Sequence, residues 1–203
     1  MKERKLFIPT SLAQYANRLY IALCDVPEAD VSDAIKVIIK AMELGNNIYT
    51  CGNGGSAAIS NHLVCDCVKG VACDTHLYPR INSLNCNDSM LTAIGNDIGY
   101  DFVFSKQLEW SARADEVLIA VSSSGNSPNI INALHEAKRA GMTSIAIVGF
   151  DGGQAKNLAD VCIHIPFDNY GIVEDASQAV MHYIAQSIRL KYSTRVPQNK
   201  LKL

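Results

Sequence analysis

Two apolar stretches of strand type each run directly into a loop rich in serine and glycine, and each loop opens a stretch of helical pattern. The first loop is Cys51-Gly52-Asn53-Gly54-Gly55-Ser56 and the second is Ser122-Ser123-Ser124-Gly125-Asn126-Ser127. The first turn of a helix presents backbone N–H groups without intrahelical partners, and the aligned peptide dipoles place partial positive charge there. Glycines let the backbone approach a bound anion closely, and serine hydroxyls add donors. Two such loops in one α/β chain make an anion pocket. Neither contains Lys or Arg, so the Walker pattern is absent. A single phosphate held by neutral donors fits better than a nucleoside triphosphate.

The rest of the chain sets these loops in a repeating frame. Strands are read at 47–50, 80–84, 116–121, 144–149 and 161–165. Helices are read at 11–23, 28–44 and 57–69, around 91–94, over 102–112, from Pro128 to near Gly141, up to about Ala159, and over 171–191. Strands alternating with helices predict a parallel sheet covered on both faces, with ligands at the carboxyl ends of the strands. The expected organisation is one domain over 1–203: an N-terminal helical oligomerisation segment at 1–45, an α/β core at 46–193 and a tail at 194–203. Apolar residues spread around the first two helices, among them Leu19, Ile21, Leu23, Ile35, Val37, Ile38 and Ile39, predict burial on most sides.

Composition narrows the partners. A formal charge of -2 gives no reason to expect nucleic acid or an anionic membrane surface, so any negative ligand has to be caught locally. The basic start is too short in apolar residues for a secretory signal, and no later run approaches a membrane span. Seven scattered cysteines without framework spacing point to a reduced, cytoplasmic setting.

Polar residues on the helices offer chemistry. His62 and Asp66 stand four apart, and Glu174 and His182 stand eight apart on the last helix, about two turns along one face. These four make a zinc site if the two helices meet; otherwise they read as a hydrogen-bonded wall residue and solvated charges. Asn96-Asp97 reads by pattern as a helix end before the Gly99 turn. Cys65, Cys67 and Cys73 lack the spacing of a zinc site of their own. Gly52 to Ala57 formally meets the dinucleotide fingerprint with Asp74 downstream, but that acid precedes the second strand and leaves the second loop unexplained.

Taken together, Gly52-Asn53-Gly54-Gly55-Ser56-Ala57-Ala58, His62, Gly95-Asn96-Asp97-Ile98-Gly99-Tyr100, Phe104-Ser105-Lys106-Gln107 and Ser124-Gly125-Asn126-Ser127-Pro128-Asn129 resemble the sugar isomerase (SIS) domain family, in its phosphoheptose isomerase branch. The resemblance runs from the N-terminal helices to His182. It implies a flavodoxin-like α/β/α sandwich with a five-stranded parallel sheet, a homotetramer, and interconversion of sedoheptulose 7-phosphate with D-glycero-D-manno-heptose 7-phosphate. Substrate contacts are implied at Asn53, Gly54, Gly55, Ser56, Ser122, Ser123, Ser124 and Ser127, with Asn96 and Asp97 lining the sugar pocket. Zinc is implied at His62, Asp66, Glu174 and His182, with Asp66 and His182 catalytic and Glu174 also facing substrate. Two positions depart from the family pattern: Asp66 stands where a glutamate is usual, and Glu174 where a glutamine is usual. The shorter acid predicts a misplaced carboxylate unless backbone or metal compensates. A non-catalytic member of the family, sensing a sugar phosphate or binding protein, is the alternative reading.

Overall fold

The computed structural model describes residues 9–194; the N-terminal stretch at 1–8 and nearly all of the expected tail lie outside the described residues. Two helices come first, α1 (Leu12–Cys24) and α2 (Glu28–Leu44). Ser11 caps α1 by accepting the N–H of Gln14, and Gly45 ends α2 in the left-handed conformation at φ 69°. There follow β1 (Asn47–Gly52), α3 (Gly55–Cys65), a π-helical segment (Asp66–Val71) closed by the single turn α4 (Ala72–Asp74), and β2 (Arg80–Ser83). Next come α5 (Asp88–Asp97), a 3-10 turn (Tyr100–Phe102), α6 (Ser105–Ser111), β3 (Val117–Ser122) and α7 (Pro128–Arg139). The chain closes with β4 (Thr143–Val148), α8 (Ala155–Leu158), β5 (Val161–His164) and the long α9 (Tyr170–Tyr192).

The five strands form one all-parallel sheet in the order β2-β1-β3-β4-β5. Strand residues alternate between the two faces, and each face builds its own core. Ile48, Ile81, Ile119, Val121, Ile145 and Ile163 pack with α2, α3 and α9 on one side, while Tyr49, Cys51, Leu118, Ala120 and Ala146 pack with α5, α6, α7 and α8 on the other. Each fully buried Leu, Ile or Val contributes about 1.5–3 kcal/mol. This is the expected three-layer arrangement with its N-terminal helices.

The strand order places the ligand site. From β1 the chain crosses to β2 on one side, and β3 is added on the other, so the strand order reverses between β1 and β3 while all strands stay parallel. Loops leaving two such strands diverge and open a crevice at their carboxyl ends. Those two loops are the serine- and glycine-rich segments.

Two boundaries differ from the sequence reading. The helix expected over 57–69 begins at Gly55 and widens to π geometry at Asp66, and the helix expected over 102–112 is split into a 3-10 turn and α6. Periodicity detects helical character but not a change of hydrogen-bond spacing from four residues to five.

Candidate active site

The first loop turns through Gly54, at φ 53°, into α3, and the second ends at Ser127, the residue before Pro128 at the start of α7. Neither helix is capped by a side chain, so the hydroxyl of Ser127 is not spent on its own helix. Asn53, Ser56, Ser122, Ser123, Ser124 and Ser127 converge on one pocket of about 140 Å3, joined from α9 by Tyr170 and Glu174. The sequence-predicted loop residues therefore do meet. No Lys or Arg lines the pocket.

Hydrogen bonds unforeseen in the sequence reading fasten the loops. Asn53 and Asn129 exchange two amide hydrogen bonds, each donating to the other's Oδ1 at 2.9 Å, and Asn129 is 2% exposed. Tyr100 Oη donates to Asn53 Oδ1 at 3.1 Å. Asn85, beyond β2, brackets Gly52 by accepting its N–H at 3.1 Å and donating to its carbonyl at 2.8 Å. Asn129 and Tyr100 lie inside the motifs that carried the family resemblance, but nothing in their spacing foretells these partners.

A second cluster lies where α3 and its π-helical continuation meet α9. His62, Asp66 and His182 each present a ligand atom within 4.8 Å of the others. His62 Nε2 is 3.3 Å from Asp66 Oδ1, His182 Nδ1 is 2.8 Å from Asp66 Oδ2, and the imidazoles meet edge to face at 4.9 Å between centroids. Although His182 is so near, Asp66 Oδ2 is buried without an aligned hydrogen bond. Donor atoms that face one another without sharing a proton are the arrangement of ligands around a common cation. The residues thus fit a divalent metal. Gln178, one turn before His182, lies 3.1 Å from its far nitrogen Nε2 and fixes the ring orientation, as outer partners of ligating imidazoles do.

A π segment starts at Asp66, and each of its two carboxylate oxygens comes within 3.3 Å of an imidazole. Such widened turns recur at functional sites.

Glu174, expected both to hold the metal and to face substrate, lies in the serine pocket and not with the metal-type donors. Among the described residues it is not in the three-donor cluster but at the first loop, where a Cβ on Gly55 would come within 2.5 Å of its carboxyl carbon and both oxygens. Eight residues of α9, about 12 Å of helix, separate it from His182, so within one chain the two side chains serve neighbouring pockets. Asn96 and Asp97 are exposed at the end of α5, hydrogen-bonded to each other at 2.7 Å. They line neither the serine pocket nor the groove of about 690 Å3 that runs past Asp66, His182, Lys69 and Arg189.

A doubly covered parallel sheet with two uncharged serine- and glycine-rich loops at its switch point defines a class of protein: residues 13–149 match the family model of the SIS domain. Within that class the chain belongs to the phosphoheptose isomerase family. It is 43% identical over 158 residues to the phosphoheptose isomerase of Sulfurimonas denitrificans, covering 78% of this chain and 80% of that one. The phosphoheptose isomerase of Akkermansia muciniphila is 37% identical over 161 residues, covering 78% of this chain and 84% of the relative. Among solved structures, the phosphoheptose isomerase of Neisseria gonorrhoeae superimposes with a TM-score of 0.79 at 31% identity, over 87% of this chain and 95% of that one.

Proposed function

We propose that this protein is an aldose–ketose isomerase that interconverts sedoheptulose 7-phosphate and D-glycero-D-manno-heptose 7-phosphate. One observation carries the reading beyond family membership: α9 lays the serine pocket and the His/Asp cluster along a single face. Glu174 lines the first, His182 belongs to the second, and the helix between them spans about 12 Å. An extended seven-carbon sugar with phosphate at one end and its carbonyl at the other has a comparable length.

In this account Asn53, Gly54, Gly55, Ser56, Ser122, Ser123, Ser124 and Ser127 hold the phosphate through hydroxyl and backbone donors and set the register of the sugar. Asn96 and Asp97, which line neither pocket of the single chain, stand on the segment that Tyr100 ties to the first loop through Asn53, and are assigned to the sugar in the assembled enzyme. Aldose–ketose interconversion moves a proton between neighbouring carbons by way of an enediolate. Asp66 takes that proton as base, and His182 supplies one to oxygen as acid. His62, Asp66 and His182 would hold zinc, while Glu174 lines the phosphate end of the site; when bound, zinc supplies Lewis-acid polarisation of the two reacting oxygens.

The working molecule is proposed to be a cytoplasmic homotetramer of one SIS domain over 1–203, with 1–45 as its oligomerisation segment. Support comes from α1, where only Ala22 is buried while Leu12 and Tyr20 lie exposed in the single chain. No helix among the described residues is long and apolar enough to cross a membrane.

Steady-state assays with sedoheptulose 7-phosphate test the reading. Asp66→Asn and His182→Ala are each expected to lower kcat by about a hundredfold or more. Near-normal turnover in either variant removes that residue from the chemistry, and a wild-type protein that produces no aldose leaves the non-catalytic, sugar-phosphate-sensing alternative.

A further inference from the structure

Tyr170 was not among the residues expected to touch substrate, yet it lines the serine pocket beside Ser122, Ser123, Ser124 and Ser127. It opens α9, one turn before Glu174 and three turns before His182. Tyr170 therefore stands at the end of α9 away from the His/Asp cluster.

Its ring is braced. Phe150 meets Tyr170 at 4.7 Å between centroids and an interplanar angle of 60°. Phe150 holds the left-handed conformation at φ 50°, a position in which a bulky residue is a genuine outlier. Both of its backbone polar groups are tied down: its N–H donates to the Phe167 carbonyl at 3.2 Å, and its carbonyl lies 3.0 Å from His164 Nε2. Lys156 Nζ approaches His164 Nδ1 at 3.1 Å, and an ammonium group has only donors. Nδ1 is thus the acceptor, and Nε2 carries the hydrogen given to Phe150. Lysine, imidazole, carbonyl and two aromatic rings form one continuous support ending at the pocket wall. Strain retained at a fully fastened residue marks a place where geometry matters to function.

We propose that the ring of Tyr170 is a specificity-determining wall of the phosphate pocket, with Phe150 as the residue that positions it. The ring, 60% exposed, borders the pocket at the end of α9 away from Asp66 and His182. A terminal monoester fits, and its ester oxygen leaves in the only useful direction, along α9 toward the cluster. A diphosphate requires room for its second phosphoryl group where the ring stands, so it is excluded. The inference rests on the proposed phosphate-binding role of the two loops.

The test is calorimetric titration of the full-length protein with inorganic phosphate and with pyrophosphate. Wild type is expected to prefer phosphate, and Tyr170→Ala to lower that preference by about tenfold, the scale on which an apolar wall discriminates by size. Tyr170→Phe keeps the ring and the preference. Phe150→Gly adopts the same backbone without steric cost and removes the brace, so it lowers the preference in the same direction while sparing the fold. An unchanged ratio in Tyr170→Ala or in Phe150→Gly, or a lost preference in Tyr170→Phe, overturns the inference while phosphate binding stands. Wild-type protein that binds neither anion overturns both this inference and the loop assignment.

Discussion

The carboxyl group of Glu174 rests against the backbone of Gly55, so close that a Cβ on the glycine would lie 2.5 Å from it. An acid thus sits at the start of α3, beside a pocket whose other donors are uncharged. The partial positive charge of the helix end favours it there, but a phosphate arriving at the same donors is repelled. Two like charges 4 Å apart interact by about 1 kcal/mol in water and about 4 kcal/mol near a protein surface. Glu174→Gln is therefore expected to raise the affinity of the metal-free protein for inorganic phosphate by about tenfold in a calorimetric titration. Equal affinities would place the carboxyl clear of the bound anion.

Asn53 and Asn129 hold the two loops at a fixed separation through their paired amides. Removing Asn129 leaves Asn53 Nδ2 without its acceptor in a half-buried site, while Oδ1 keeps Tyr100, at a cost of about 1–3 kcal/mol. Asn129→Ala should lower the unfolding free energy in urea by that amount and raise KM for the sugar phosphate more than it lowers kcat. If stability and KM both hold at wild-type values, the amide pair is not what spaces the loops.

Restoring the longer acid should harm rather than help. The short carboxylate of Asp66, at the start of the π segment, already stands 3.3 Å and 2.8 Å from the two imidazoles. Asp66→Glu drives the carboxylate past that position, and zinc affinity measured against a chromophoric chelator should fall by about tenfold or more. Tighter binding in the variant would mean that the backbone had not adapted to aspartate.

Burial raises the Cys51 thiol from its ordinary value to about 12. The folded state keeps this proton where the unfolded chain, with a pKa near 9, has released it. Stability from this source is complete below pH 9 and declines as the pH rises from 9 toward 12. Denaturation midpoints followed over that range should drop less steeply in Cys51→Ala than in wild type. Parallel profiles would assign the alkaline loss to other groups.

The architecture was legible because it is written in strong local patterns. The run Val117 to Val121 is apolar at every position, as a strand covered on both faces must be, and Pro128 marks the first turn of α7. Pairing His62 with Asp66 was legible from helical spacing, since residues four apart share a face. The placement of Glu174 was not. Eight residues turn a helix through more than two full turns, and whether the first of them reaches the same ion as the last depends on where α3 ends, which is a tertiary fact. Asn129 escaped for a similar reason: its partner is 76 residues away, across the switch point, and only the strand order brings them together. Phe150 at positive φ carries no local signal, because the residue type argues against the conformation it adopts.

Nuclear magnetic resonance of sedoheptulose 7-phosphate, incubated in D2O with the zinc-loaded protein, bears on the whole arrangement at once. A base and an acid poised over adjoining carbons should yield the heptose 7-phosphate aldose with solvent deuterium at C2, and Asp66→Asn should abolish both the aldose and the exchange. A ketose that persists unaltered and unlabelled in the presence of the wild-type protein would contradict the assignment of the cluster and the pocket to one sugar.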